Sequence, residues 1–223
     1  MARAERLKKI VNLSERELQK IKSRVENGET YIYVKRKISW DQADRVSKLN
    51  LRSVYVQQEN RRFYPLGSLA AHVLGGVNID GEGQSGVELQ YSARLEGVKG
   101  LSLILRDANK RRYDWEILKE PEPGQDLVLT LDETIQYIAE RELEKAVREH
   151  DASWGTVIIS HPASGEILAM ATSPTYDPND YPPSPFELSR NRAIQENFEP
   201  GSMFKIVTAA AAREAGVVGF NEI

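Results

Sequence analysis

Ser202 and Lys205 stand three residues apart in Glu199-Pro200-Gly201-Ser202-Met203-Phe204-Lys205, directly ahead of the apolar run Ile206-Val207-Thr208-Ala209-Ala210-Ala211-Ala212. Pro200 and Gly201 end the preceding segment, so the run predicts a helix that begins near Ser202, with Lys205 one turn later on the same face. That spacing suits acyl transfer. A serine hydroxyl is a weak nucleophile at neutral pH and must lose its proton to a nearby base as it attacks a carbonyl carbon. A lysine amine one turn on takes that proton provided that partial burial and the positive end of the helix keep it uncharged. The unpaired serine N–H at the helix start is placed to hold the developing oxyanion. By itself S-x-x-K is a weak signal, because ordinary composition yields roughly one accidental match in a chain of this length. A surface Ser and Lys on an ordinary helix satisfy it equally.

Other residues that could do chemistry are less well placed. Gly81-Glu82-Gly83-Gln84-Ser85-Gly86 spells G-x-G-x-x-G, with Asp107 downstream where a ribose-binding acid would stand. No buried strand feeds this loop and no parallel βαβ unit surrounds it, so its glycines read as positions of positive φ rather than as a nucleotide site. His72, His150 and His161 are scattered, with no carboxylate or second histidine at ligand spacing, and no metal site or cofactor is expected. The chain has no cysteine, which removes thiolate nucleophiles and disulfides. A Ser-His-Asp arrangement built on His161 is compatible with the chain order, yet His161-Pro162 reads first as the start of a turn. Lys8-Lys9, Lys35-Arg36-Lys37 and Lys110-Arg111-Arg112 are short and interleaved with acids, as solvated faces are.

The elements that must position these residues follow from composition and pattern. With 223 residues, 40% of them hydrophobic, the chain can bury the core of one large or two ordinary domains. Thirty Lys+Arg against 33 Asp+Glu leave a net charge of −3, which offers no general field to a polyanion, and nucleic acid is not expected as a partner. The longest apolar stretch, Ile206 to Ala212, falls far short of the roughly 20 residues of a membrane span. The basic N-terminus has no apolar signal core behind it.

Capping boxes predict helix starts at Ser14 with Glu17, ending at Gly28, at Ser39 with Gln42, running through Leu49, and at Ser85 with Glu88, running through Leu95. Tyr31 to Val34 and Ser53 to Val56 alternate like short strands, and Leu69 to Leu74 reads as a small apolar helix. Leu101 to Leu105 and Tyr113 to Ile117 flank the polar turn Asp107-Ala108-Asn109-Lys110 as a hairpin. Glu120-Pro121-Glu122-Pro123-Gly124 cannot continue a strand and divides the chain into residues 1–121 and 122–223. Beyond it the pattern predicts a strand at Leu127 to Leu131, an amphipathic helix from Asp132 to about His150, and a hairpin of Trp154 to Ser160 with Glu166 to Thr172. A proline-rich loop, Pro174 to Pro185, then leads to the final helix. The fold class is α+β.

Around Ser202 the sequence resembles the class B penicillin-binding proteins, the peptidoglycan DD-transpeptidases, and in particular their cell-division branch. The resemblance rests on Ser164-Gly165-Glu166-Ile167-Leu168-Ala169-Met170-Ala171, Ser173-Pro174 with Tyr176-Asp177-Pro178-Asn179, Arg190-Asn191-Arg192-Ala193 and Glu199 to Lys205, in family order and at family spacing. Upstream, Tyr33 to Lys37, Arg61-Arg62-Phe63-Tyr64-Pro65, His72-Val73-Leu74-Gly75 and Gly86 to Tyr91 resemble the non-catalytic pedestal (dimerisation) domain of the same family. The resemblance thus implies a partial pedestal over 1–121, followed by the start of an α/β serine transpeptidase domain over 122–223.

It further implies that Ser202 is acylated by a D-Ala-D-Ala stem peptide or by a β-lactam, that Lys205 is its base, and that Arg190-Asn191-Arg192 and Glu199 hold the loop rather than react. Implied partners are stem peptides, β-lactams, division-machinery membrane proteins such as a glycosyltransferase, and a second copy in a homodimer. The implied location is the extracytoplasmic, periplasmic face of the bacterial inner membrane. The family's later S-x-N and K-T-G motifs do not follow Lys205, and Ser189-Arg190-Asn191 precedes the nucleophile. The family's membrane anchor and the G-x-I-x-D-R-x-G opening of its pedestal are missing too. The chain therefore reads as an internal fragment without substrate-binding motifs, inactive alone, whose last helix lacks packing partners. Two other readings stay open: a scaffold module that docks division proteins, and a β-lactam sensor or serine β-lactamase.

Overall fold

In a computed structural model of the chain, residues 2–51, 53–106, 112–182 and 186–219 are described. The N-terminal helices α1 (Ala2–Ile10), α2 (Glu15–Glu26) and α3 (Trp40–Lys48) follow their caps. Ser14 Oγ accepts from Glu17 N at 3.2 Å while the Glu17 carboxylate accepts from Ser14 N at 2.8 Å, and Ser39 with Gln42 repeats the exchange. Gly28, at φ +81°, ends the first of these segments. The helices bury Val11, Leu13 and Val46, with Leu7, Ile21, Val34 and Val54 packed around them. No cap announces α1 in the sequence; it is held by this cluster and by Gln42 Nε2, which donates to Ile10 O at 2.9 Å.

The strands expected at 31–34 and 53–56 do not form. Their alternation reports a half-buried segment, but what covers Val34 and Val54 is the helical cluster, and no backbone ladder forms. Side chains do the joining instead. Arg36 donates to Glu59 (2.9 Å) and Asp80 (2.5 Å) and lies over the Tyr33 ring at 5.0 Å.

The middle of the chain carries α4 (Ala71–Leu74), α5 (Gly86–Gln90) and α6 (Ser92–Leu95). The capping box expected at Ser85 is not made, and the helix breaks at Tyr91. Both partners are engaged elsewhere: Ser85 Oγ accepts from Gly76 N, and the buried Glu88 carboxylate accepts from Arg62 Nε at 2.5 Å and Tyr64 OH at 3.2 Å. Strands β1 (Leu101–Arg106) and β2 (Arg112–Lys119) form the expected antiparallel ribbon; its turn lies outside the described residues.

In the second half, Asp132 caps α7 (Glu133–Glu149) through Oδ1, which accepts from Ile135 N at 2.9 Å. The helix lies on the hairpin of β3 (Gly155–Ser160) and β4 (Ile167–Ser173), paired Val157 to Ala171 and Ile159 to Ala169. Ala139 and Leu143 of the helix meet Ala169 and Ala171, and the small side chains allow the close approach. The strand expected at Leu127 to Leu131 is absent. Among the described residues, Thr130 Oγ1 donates there to Ile167 O (2.6 Å) and Asp132 N to Leu168 O (2.9 Å) along the outer edge of β4, and the Gln136 side chain takes the next position. Three short 3₁₀ turns, α8 (Arg192–Gln195) and α9 (Phe204–Glu214) complete the order. Among the described residues no helix is long and apolar enough to cross a membrane.

The approach of α4 to α5 gives a stability prediction. A Cβ on Gly75 would lie 1.9 Å from Ser85 O, whereas one on Gly28 meets nothing within 4 Å, although both residues have positive φ. Gly28→Ala should cost about 1–2 kcal/mol from the left-handed backbone alone, and Gly75→Ala clearly more, about 3 kcal/mol or above. Urea unfolding of both variants checks the order; equal losses would contradict the packing described.

Candidate active site

Ser202 lies in the 3₁₀ turn Gly201–Met203, which passes directly into α9. Gly201 takes φ +52°, the left-handed conformation that turns the chain after Pro200. Met203 N donates to Pro200 O at 3.0 Å, and Phe204 N turns back to Gly201 O and Ser202 O. The serine thus stands at the leading edge of the helix with Lys205 in the first turn of α9, the spacing that places i and i+3 side chains together. Ser202 and Lys205 are both exposed, and neither side chain has a hydrogen-bond partner among the described residues. α9 buries no residue; Ile206 is 73% exposed, and Met203, Phe204 and Val207 are likewise open. Glu199 is exposed as well.

The approach to the turn is built differently. Asn191, 7% exposed, caps α8 through Oδ1, which accepts from Ala193 N at 3.2 Å, while its N–H donates to Gln195 Oε1 at 3.0 Å. Arg190 donates to Gln195 O at 2.9 Å, Arg192 pairs with Glu196 at 3.1 Å, and the Arg192 guanidinium lies 5.4 Å from the Trp154 ring centroid. These contacts tie α8 to its own ends and to the segment just before β3.

Residues 64–72 of the first half dock here too. Asn179 pairs with both main-chain groups of Tyr64, Oδ1 accepting from its N–H at 3.0 Å and Nδ2 donating to its C=O at 2.9 Å. Tyr176 OH donates to Ala71 O at 3.1 Å, and Ala70 N to Glu140 Oε1 at 2.7 Å. His72 is buried, with its ring edge-on to Tyr176 and its Nε2 donating to Leu188 O at 2.8 Å. Burial pushes its pKa down, Arg192 adds to that, and the Leu188 carbonyl opposes it.

The sequence reading missed the structural roles of His72, Asn179, Glu140 and Gln136. Gln136 left a signal in the pattern, since it falls on the apolar stripe with Ala139 and Leu143, and His72 and Asn179 left one in the motifs that carry the family resemblance. The other sequence candidates are held in local structure. His161 Nδ1 lies 3.1 Å from Ser164 Oγ, which itself donates to Glu166 at 2.8 Å. Base and acid therefore meet on one hydroxyl instead of acting in series, and all three residues are exposed in the β3–β4 turn. In the glycine-rich loop, Asn78 Oδ1 accepts from Asp80 N and Glu82 N, and Gln84 N donates to Gly76 O, so these amides are already engaged. Asp107, like Lys110 and Arg111, lies outside the described residues. Lys35, Arg36 and Lys37 are paired with Glu17, Glu59 and Asp80.

Residues 1–129 match the Penicillin-binding Protein dimerisation domain, and residues 155–223 match the Penicillin binding protein transpeptidase domain. The chain belongs to the penicillin-binding protein family. It is 38% identical, over 99% of its length, to a probable peptidoglycan D,D-transpeptidase, PenA, of Neisseria meningitidis. It is also 36% identical, over 86% of its length, to the peptidoglycan D,D-transpeptidase FtsI of Escherichia coli. It spans 38% and 33% of these two relatives.

Among solved structures, penicillin-binding protein 3 of Mycobacterium tuberculosis in complex with aztreonam is 32% identical with a TM-score of 0.57, covering 71% of this chain and 32% of that one. A chain from a structure describing polymerization and crosslinking by a peptidoglycan synthase complex is 28% identical with a TM-score of 0.64, covering 81% of this chain and 38% of that one. Pedestal and start of transpeptidase domain, the α+β order read from the sequence, are what these matches and the fold contain.

A pH effect follows from His72. Its folded proton affinity lies below the ordinary value of 6.5, so on acidification the unfolded chain takes up a proton that the folded one resists. The contribution is complete above about pH 6.5 and declines as pH falls below it. Denaturation midpoints measured at about pH 7.5 and 5.5 should show the loss, and His72→Gln should flatten the curve in that window.

Proposed function

We propose that this chain carries the pedestal, residues 1–121, and the nucleophile-bearing start, residues 122–223, of a peptidoglycan D,D-transpeptidase acting in septal wall synthesis. The observation that carries the reading is the position of Ser202 at a helix's leading edge with Lys205 three residues on, inside the segment that matches the transpeptidase domain. In the proposed reaction Ser202 Oγ bonds to the carbonyl carbon of the penultimate D-Ala of a stem peptide, and its proton passes to Lys205 Nζ. The peptide C–N bond breaks, and the terminal D-Ala leaves with that proton on its amine. The amine of a second stem peptide then displaces the serine, leaving a cross-link and restoring the hydroxyl. A β-lactam enters the first step only, because its opened ring keeps the leaving amine attached.

The reaction belongs at the extracytoplasmic, periplasmic face of the inner membrane, where its polymeric substrate lies. A glycosyltransferase of the division machinery, which makes the glycan strands to be joined, is the partner this reading assigns. The resemblance of the fold to a chain of a synthase complex supports that assignment. The 223-residue chain leaves the apolar side of α9 in water, and we expect it not to turn over substrate by itself.

Fluorescent penicillin should label the full-length protein stoichiometrically, fail to label Ser202→Ala, and label Lys205→Ala at least about 10²-fold more slowly. The 223-residue chain should label slowly or not at all. Covalent labelling that survives Ser202→Ala would refute the assignment by placing the nucleophile elsewhere, and absence of labelling in the unaltered full-length protein would leave the scaffold role standing. Slow release of the label distinguishes a transpeptidase from a β-lactamase, which would release it rapidly.

A further inference from the structure

We infer that Asn191 is a positioning residue for this acyl transfer: its side-chain amide ties the segment leading into Ser202 to the main chain of α4 and to β4. The catalytic consequence rests on the function proposed above, while the tie rests on contacts alone. Asn191 Nδ2 lies 3.3 Å from His72 O and 3.5 Å from Met170 Sδ, both across long stretches of sequence. A buried amide needs partners for both ends, and here the two ends do different work. Oδ1 caps α8, which is local, whereas Nδ2 reaches the first half of the chain.

The tie closes a ring of hydrogen bonds. Ala70 N donates to Glu140 Oε1 (2.7 Å), which also accepts from Gln136 Nε2 (2.7 Å). Gln136 spans the main chain of Met170, donating to its C=O at 3.0 Å and accepting from its N–H at 2.8 Å. The Met170 sulfur accepts from Asn191, and Asn191 returns to His72, two residues from Ala70. His72 Nε2 then holds Leu188, three residues before Asn191.

Beyond the ring, Arg190 and Arg192 brace the stretch through Glu196. Only residues 197–201 separate that braced piece from Ser202. Residues 197–201 are exposed, so the position of α4 acts on the nucleophile turn through this short tether, limiting where the chain can enter it. Displacements of about 1 Å in such supports are enough to cost on the order of 10²-fold in rate.

Asn191→Ser separates the two roles, because serine caps a helix start as well as asparagine does but has no amide to reach His72. In the full-length protein the acylation rate constant with fluorescent penicillin should fall about tenfold per labelled molecule. A merely structural defect would instead lower the fraction labelled at completion and leave the rate constant of the rest unchanged; that result overturns the inference. In the 223-residue chain, amide exchange at residues 186–196 should accelerate about fivefold or more in Asn191→Ser, with α7 and β3 unaffected. Unchanged protection at 186–196 overturns the tie itself. Should Asn191→Ser fail to fold, Asn191→Asp, which also keeps the capping oxygen and loses the amide donor, is read by the same two measurements. Labelling that persists in Ser202→Ala defeats the functional reading, while the exchange result still decides the tie.

Discussion

The main chain of Met170 turns an N–H and a C=O away from β3, toward the side where β4 has no neighbouring strand among the described residues. Groups of this kind, once buried, need partners, since each one left without a hydrogen bond costs about 1–3 kcal/mol. Gln136, 1% exposed, takes both with its amide and stands in for a strand. Doing so fixes the rotation of α7 over the hairpin, and with it the meeting of Ala139 and Leu143 with Ala169 and Ala171. Rotation of α7 in turn places Glu140, one turn on, where it receives Ala70 N from the other half of the chain. Ala70 sits there at φ +56°, a conformation alanine avoids, which the surrounding contacts must outweigh.

A second consequence concerns how the halves join. The dimerisation-domain match ends at residue 129, yet residues 64–72 bond to Glu140, Tyr176, Asn179, Leu188 and Asn191. The interface is made largely of side chains bonded to main chain, Asn179 with Tyr64 being the most complete case. Amide side chains suit that work because one group both donates and accepts in a plane, as a peptide unit does. These bonds fix the register of a junction that also buries Tyr64, Ala70, Ala71 and Tyr176, so polar and apolar contacts hold it together.

This explains what the sequence could disclose. Local rules survived wherever a residue's partners were local. The boxes at Ser14 and Ser39 formed, Asp132 capped its helix, and both hairpins paired. They failed where a distant group competed for the same atoms: Glu88 turned to Arg62 and Tyr64, and Ser85 to Gly76. Alternation at 31–34 and 53–56 predicts strands, but the cover over Val34 and Val54 comes from helices, and Val56 stays exposed. The ring through Ala70, Gln136, Met170 and Asn191 was not legible, because each long-range bond joins residue types that are individually ordinary. For the candidate site, placement of Ser202 at a helix start was legible from Pro200 and Gly201, while the bracing of its approach was not.

The contrast between the two sides of Ser202 bears on how such a site is held. Upstream, the chain is bonded through buried polar groups to α4 and β4; downstream, α9 presents Phe204, Ile206 and Val207 to water. A helix with an apolar face and no partner acquires its orientation from whatever later covers it, whereas the turn in front of it already has a defined point of entry. Serine and lysine both lie close to that entry, at the first turn, where upstream bracing is felt most and the remainder of the helix least. The placement of Ser202 and Lys205 would then be inherited from Asn191 and α8, with the cover over α9 excluding water from the rest of the helix.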